Sequence, residues 1–143
     1  MTLTDAHADQ IAKLLNGRNQ LTQKCTRKSV LDHADNYLCR FSEANEVVAC
    51  VEVKNIQWYQ TEILHLTVAA SQTRKGHAKA LLCEAERVAR AKGARLLQCT
   101  IREDNTDSCK LFEGFGFSHI NSFHNKRSGN NVAVFQKVLS SAC

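Results

Sequence analysis

The stretch from Glu62 to Ile101 constrains the fold most, because its apolar pattern changes period twice. Glu62 to Val68 is rich in leucine and β-branched side chains and reads as a strand. A polar turn, Ser71 to Lys75, follows. Apolar residues then fall at Ala78, Leu81, Leu82, Ala85, Val88 and Ala89, the spacing of one helical face. Glu86 and Arg90 stand four apart in the favourable order on that helix, and Gly93 is placed to end it in the left-handed conformation. Leu96 to Ile101 is again a short apolar strand. Strand, helix and strand in this order form a right-handed crossover joining two parallel strands.

The remaining chain adds strands and helices around this unit. Thr4 can cap a first helix carrying Ala8, Ile11, Ala12, Leu14 and Leu15, which is expected to stop at Gly17. A shorter helix is expected from Thr26 through Val30 and Leu31 to about Ala34. Tyr37 to Phe41 and Val47 to Val53 lead into the Glu62 strand as an antiparallel meander. Beyond the crossover, Asn105 to Glu113 reads as a short helix followed by Gly114 and Gly116. Two strands are then expected, Phe117 to Phe123 and Val132 to Leu139, joined by a polar loop from His124 to Asn131. The expected fold class is mixed α+β. Its length of 143 residues, with no repeat and no linker, fits a single domain over 1–143.

Composition narrows the context. No apolar run approaches the roughly 20 residues that span a bilayer, and Met1 to Asp5 lacks the features of an export signal, so a soluble, cytoplasmic protein is expected. The seven cysteines are odd in number and none has C-x-x-C spacing, which suggests reduced thiols rather than a disulfide framework. A formal net charge of +5 suits either a nucleic acid or a small polyanionic ligand, and charge alone does not decide between them.

The turn before the long helix is where chemistry concentrates. Gly76 and the small Ala78 stand among Arg74, Lys75 and Lys79 at a fresh helix N-terminus. The first N–H groups of a helix lack partners within it, and the macrodipole places about half a positive charge there, so a pyrophosphate is favoured. No Gly-Lys-Ser/Thr follows, so the segment is not a Walker A loop, nor is it a dinucleotide fingerprint. The plainer reading is that Gly76 only eases a turn.

Leu66-Thr67-Val68, the turn up to Ala78, the helix, the second strand, and Asn105-x-x-Ser108-x-x-Leu111-Phe112-Glu113-x-x-Gly116-Phe117 together resemble the GNAT acetyltransferase superfamily. The resemblance covers about residues 37 to 139. It implies a central mixed, mostly antiparallel sheet with a splayed parallel strand pair and helices on both faces, and acetyl-CoA as co-substrate. It further implies that the acyl-CoA pyrophosphate sits on Thr73, Arg74, Lys75, Gly76, His77, Ala78 and Lys79, with the pantetheine arm along Leu66, Thr67 and Val68. Asn105, Ser108 and Phe112 would complete the cofactor contacts. Two departures stand out: Thr73 occupies the place of a family Gln or Arg, and Phe112 that of a common tyrosine, whose hydroxyl protonates the leaving thiolate. The usual first strand is expected to be missing, since the sequence opens on the pattern of a helix. That leaves a sheet edge which a second copy could cover, so a homodimer is expected.

Glu62 stands six residues before Val68, a spacing that resembles the general base of the histone-acetyltransferase branch. Strand parity places it with Leu64 and Leu66, an apolar setting that raises a carboxyl pKa towards the range useful for a base. A solvated or salt-bridged strand glutamate is the alternative. His65 falls on the opposite face and reads as an ordinary sheet histidine. Without the tyrosine hydroxyl at Phe112, turnover would be slowed rather than abolished, because a thiol of pKa ~8.5 needs only about 2 kcal/mol to leave as thiolate at neutral pH. Trp58 and Tyr59 are candidates for an acceptor pocket, since aromatic faces hold cationic amines, and His124 lies in a loop that often shapes that pocket in the family. His119 and His124 lack companions at ligand spacing, so no metal is expected. The expected function is transfer of an acetyl group to an amine by direct attack. A CoA-binding module without turnover and a toxin-like enzyme acting on charged tRNA are the alternatives; nucleic acid and membrane partners are not expected.

Overall fold

Thr4 opens the first helix by accepting a hydrogen bond from the His7 N–H at 3.0 Å, and Asp5 adds a carboxylate to the positive helix end. This helix, α1 (Asp5–Arg18), begins a computed structural model in which residues 3–19 and 24–139 are described. Thr26 and Ser29 form a reciprocal capping box at the start of α2 (Arg27–Asp32). There follow β1 (Tyr37–Phe41), β2 (Val47–Gln57), β3 (Gln60–Val68), α3 (His77–Ala91), β4 (Leu96–Arg102), α4 (Thr106–Gly114), β5 (Ser118–Asn125) and β6 (Asn130–Val138). The six strands form one mixed sheet in the order β1-β2-β3-β4-β6-β5, with β3 and β4 parallel. The mixed α+β class expected from the sequence is the one observed.

The chain divides into two units, Met1–Val53 with His65–Ala85 and Lys54–Leu64 with Glu86–Cys143, so β3 and α3 contribute to both. In the first unit, Ala8, Ile11, Ala12 and Leu15 form one stripe of α1, at helical spacing, and join Val30, Val47 and Cys50 in a core cluster. Ile11 and Leu15 are fully buried, each favouring the fold by roughly 1.5–3 kcal/mol. Val47 to Val53 are all buried, so β2 is covered on both faces there and, but for Glu52, its sequence runs apolar without alternation. The Val47 N–H donates to Gln10 Oε1 at 2.8 Å, tying α1 to β2.

In the second unit, β4 and β6 are antiparallel from Leu96–Val138 to Arg102–Val132. Leu97, Cys99 and Ile101 alternate inward along β4. The parallel register between β3 and β4 covers only Gln60–Leu96, Thr61–Leu97 and Glu62–Gln98. Phe112 of α4 is buried edge-to-face on Phe117, with ring centroids 5.1 Å apart. Lys137 passes the Phe115 ring at 4.8 Å and Gly116, and its Nζ reaches Glu86 Oε1 at 2.6 Å.

Several boundaries differ from expectation. Helix α1 runs through Gly17 to Arg18, because a glycine costs a helix only about 1 kcal/mol and Asn19 closes the last turn by donating its N–H to the Leu15 carbonyl. Helix α2 stops at Asp32, and Ala34–Asn36 is a separate 3-10 turn. Strands β2 and β3 reach to either side of Trp58 and Tyr59, which form the tight turn between them. The polar loop expected from His124 to Asn131 narrows to a four-residue turn, 126–129, with strand on either side. His124 lies in β5 opposite Asn131 of β6, and the pair is joined side chain to side chain at 2.9 Å, so polar cross-strand bonds extend the hairpin.

Candidate functional site

Helix α3 begins on a residue without a side chain. The Gly76 carbonyl accepts the first helical bond from the Ala80 N–H at 3.0 Å, and Gly76 has φ 83, a conformation other residues adopt at a cost. No atom lies within 4 Å of where a Gly76 Cβ would stand, so only the backbone requires glycine there. Arg74 is itself left-handed at φ 63. Thr73, Arg74, Lys75 and Lys79 are exposed, and His77 and Ala78 are partly buried. The Thr73 hydroxyl donates to the Ala70 carbonyl at 3.3 Å, which fixes the preceding 3-10 turn. Sequence reasoning missed Arg40: from β1 its Nε donates to His77 Nδ1 at 3.3 Å, bringing a fourth cation to the same helix start. Nothing local in the sequence signals a contact between residues so far apart. Exposed cations around a glycine-opened helix start fit a pyrophosphate through backbone N–H groups and charge together.

The end of β3 is held from α1. The Asn19 amide donates to Thr67 Oγ1 at 3.0 Å, the Thr67 hydroxyl donates to the His65 carbonyl at 2.9 Å, and Arg18 Nε donates to the Val68 carbonyl at 3.1 Å. Thr67 is buried by these bonds, while Leu66 and Val68 keep partial exposure. His65 interrupts the strand with φ 56. In the second unit, Glu62 is partly buried on β3, and its Oε1 accepts from Gln98 Nε2 at 3.4 Å. Gln98 Oε1 in turn accepts from Gln136 Nε2 at 2.7 Å. Glu62 Oε2 is buried and has no hydrogen-bond partner. Burial pushes the Glu62 carboxyl above the ordinary carboxylate range, and the Gln98 bond offsets part of that rise. Gln98 and Gln136 were not singled out from the sequence; two glutamines far apart in the chain give no sign that they meet.

The other candidate residues are placed as follows. Asn105 is the N-cap of α4, its side chain accepting from the Ser108 N–H at 3.3 Å, so that pair has a structural role. Phe112 belongs to the buried core. Trp58 is 74% exposed at the β2–β3 turn, where Arg95 lies over its ring at 5.7 Å. Tyr59 anchors that turn through its carbonyl, which accepts from the Arg95 and Leu96 N–H groups. His124 is exposed and bonded to Asn131. Among the described residues no group of three His, Cys, Asp or Glu side chains is gathered to hold a metal, and no helix is long and apolar enough to cross a membrane.

This arrangement is the fold of an acetyltransferase. The chain is similar to Ard1 from Thermoplasma volcanium (TM-score 0.83, 16% identity, covering 97% of this chain and 95% of that one). It is also similar in fold to a ribosomal-protein-alanine N-acetyltransferase from Brucella melitensis (TM-score 0.81, 17% identity, covering 97% of this chain and 98% of that one). A GNAT family acetyltransferase from Elizabethkingia anophelis with acetyl-CoA bound gives 0.74 at 15% identity, over 89% of each chain. No protein of curated function matches by sequence. The acetyltransferase (GNAT) family model matches residues 4–117, and the chain belongs to that family of acyl-CoA N-acyltransferases.

Proposed function

We propose that this protein, as a single acetyltransferase domain, moves an acetyl group from acetyl-CoA to an amine by direct attack. The observation that carries the reading is Glu62: a partly buried carboxylate with one oxygen unpartnered and the other held by Gln98 supports its role as proton acceptor. Thr73, Arg74, Lys75, Gly76, His77, Ala78 and Lys79 hold the pyrophosphate, with Arg40 behind His77. The pantetheine arm lies along Leu66 to Val68, and Asn105, Ser108 and Phe112 are the remaining cofactor contacts. Glu62 removes a proton from the acceptor ammonium, and backbone N–H near Leu66 and Thr67 polarises the thioester carbonyl. The exposed indole of Trp58 offers a face to a cationic acceptor, with Tyr59 and His124 as further candidates.

A cytoplasmic homodimer completes the proposal. A second reading, cofactor binding without turnover, is favoured by one observation: Phe112 is a core residue that brings no hydroxyl to the thiolate. A thiol-release screen of polyamines, amino acids and peptide N-termini with acetyl-CoA separates the two. CoA release by any of these amines supports transfer. A melting temperature raised by acetyl-CoA with no release across the panel supports the binding module and overturns Glu62 as base.

A further inference from the structure

Glu62, Gln98 and Gln136 lie in one row across the sheet. Glu62 of β3 is in register with Gln98 of β4, and Gln98 with Gln136 of β6. Ser118, at the start of the edge strand β5, continues the row opposite Gln136. Residues in register share a face, so four neighbouring strands carry polar side chains there, while Thr61, Leu97 and Phe135, next to them along the chain, are buried. Stability does not require this row to be polar. A hydrogen-bonded pair exchanged for apolar groups of the same shape is close to neutral for folding, so two glutamines kept in the middle of a sheet point to another use.

The two bonds differ in strength and run in one direction. Gln136 Nε2 donates to Gln98 Oε1 at 2.7 Å, a close contact, and Gln98 Nε2 donates to Glu62 Oε1 at 3.4 Å, a loose one. An amide offers donors on one side and an acceptor on the other. With its oxygen taken by Gln136, Gln98 turns its N–H to the carboxylate; the reverse orientation would set oxygen against oxygen. Gln136 thus decides which way round Gln98 sits, and Gln98 decides which oxygen of Glu62 is occupied. The two oxygens of a free carboxylate are equivalent. Here Oε1 is engaged, and Oε2 is buried with no partner.

We propose that Gln98 and Gln136 are positioning residues of the transfer reaction, confining proton uptake by Glu62 to Oε2. This rests on the reading of Glu62 as the base. An N–H bond of the acceptor ammonium breaks with its electron pair left on nitrogen, an O–H bond forms at Oε2, and the proton later passes to water. Gln98 keeps its bond to Oε1 in both states, so the carboxyl does not turn between them. Titratable groups on the surrounding strands have other partners or face solvent: Lys137 is paired with Glu86, His119 is bonded to Ser122, and Lys54 of β2 is exposed. Cys99 stays a thiol, pushed up by burial first and by Glu62 next. Burial raises the Glu62 carboxyl and the Gln98 bond lowers it, so Gln98 also trims the affinity of the base for its proton.

The test uses Gln98→Met, which keeps the length of the side chain and removes both amide bonds, in the full chain. Gln98→Met/Gln136→Met removes the pair together and leaves no unmatched donor, so it carries the same test if the single variant folds poorly. In the thiol-release assay, with the panel amine that wild type turns over fastest, Gln98→Met is expected to lower kcat about 10-fold with the KM for acetyl-CoA within about twofold. The acidic limb of its kcat–pH profile should move to higher pH, because the bond that lowers the Glu62 carboxyl is gone. In a Glu62→Gln background the same change should cost no more than about twofold, since no carboxylate remains to be positioned. An unchanged kcat, a limb that stays or moves down, or an equal loss in the two backgrounds overturns the proposal. Carbon NMR of the Glu62 carboxyl reads the bond without turnover: its titration midpoint should rise in Gln98→Met. A midpoint that stays or falls overturns the positioning role; one that rises while Glu62→Gln keeps the wild-type kcat overturns the reading of Glu62 as base instead.

Discussion

Replacing Glu62 by glutamine tests the chemistry with little change of shape. The amide oxygen can still accept from Gln98 Nε2, so the Gln136–Gln98–residue 62 chain of hydrogen bonds survives, and what is lost is the basicity at Oε2. A positioned base is worth ~10²–10⁴ in rate, or about 3–5 kcal/mol of barrier. Because Glu62 is only partly buried, water can take over some of its role, which places the expected loss in kcat near the lower figure, ~10²-fold. Stability should move the other way. Burial raises the Glu62 carboxyl in the folded state, so its contribution to folding is most favourable below the ordinary carboxylate range and declines as pH rises through the raised folded value. The Gln variant is therefore expected to melt no lower than wild type at pH 7, with any advantage disappearing at low pH. The assay is CoA thiol release at saturating amine alongside thermal melts at pH 7 and pH 4. A kcat within twofold of wild type refutes the assignment, and a lower melting temperature refutes the account of its burial.

Gly76→Ala introduces left-handed strain with no steric clash and should lower the melting temperature by several degrees, from a cost of about 1–2 kcal/mol. Burial pushes the Glu86 carboxyl up, but Lys137 and Arg90 outweigh it and the net shift is downward. Lys137→Met should accordingly destabilise the protein in thermal melts at pH 7, with the difference fading as pH falls through the lowered folded value. Iodoacetamide at pH 8 should modify exposed Cys83 well before Cys50 and Cys99, both buried and both with pKa values raised chiefly by that burial, as peptide mass mapping would show. Ile11→Ala, at a fully buried site, should cost about 2–5 kcal/mol in urea unfolding.

What the sequence disclosed follows the range of the interactions involved. The crossover from β3 through α3 to β4 was legible because periodicity and glycine placement are local signals, and the Thr4 and Thr26 caps were for the same reason. Strand β5 was foreshortened in the reading because Ser118 to His124 are all exposed, so no apolar alternation marks its extent. Gly17 looked like a terminator since propensity omits the packing of Leu15 that carries the helix past it. The loop proposed to hold the pyrophosphate could be placed from Gly76 and its neighbours, whereas Arg40, Gln98 and Gln136 reach their partners only through sheet register. His65 shows the limit most plainly: parity makes it an unremarkable sheet residue, and only its backbone angle and the buried Glu52 set it apart.

A helix that starts on serine or aspartate carries an acceptor of its own, which an arriving phosphate must displace. One that starts on Gly76 supplies no such competitor, so the proposed recognition of an anion there would rest mainly on the main chain. Side chains around that start are then free to vary without erasing the site. On the proposed pyrophosphate reading, Thr73 in place of a longer polar residue is a change of this kind: it removes a side-chain contact and leaves the main-chain N–H groups in place.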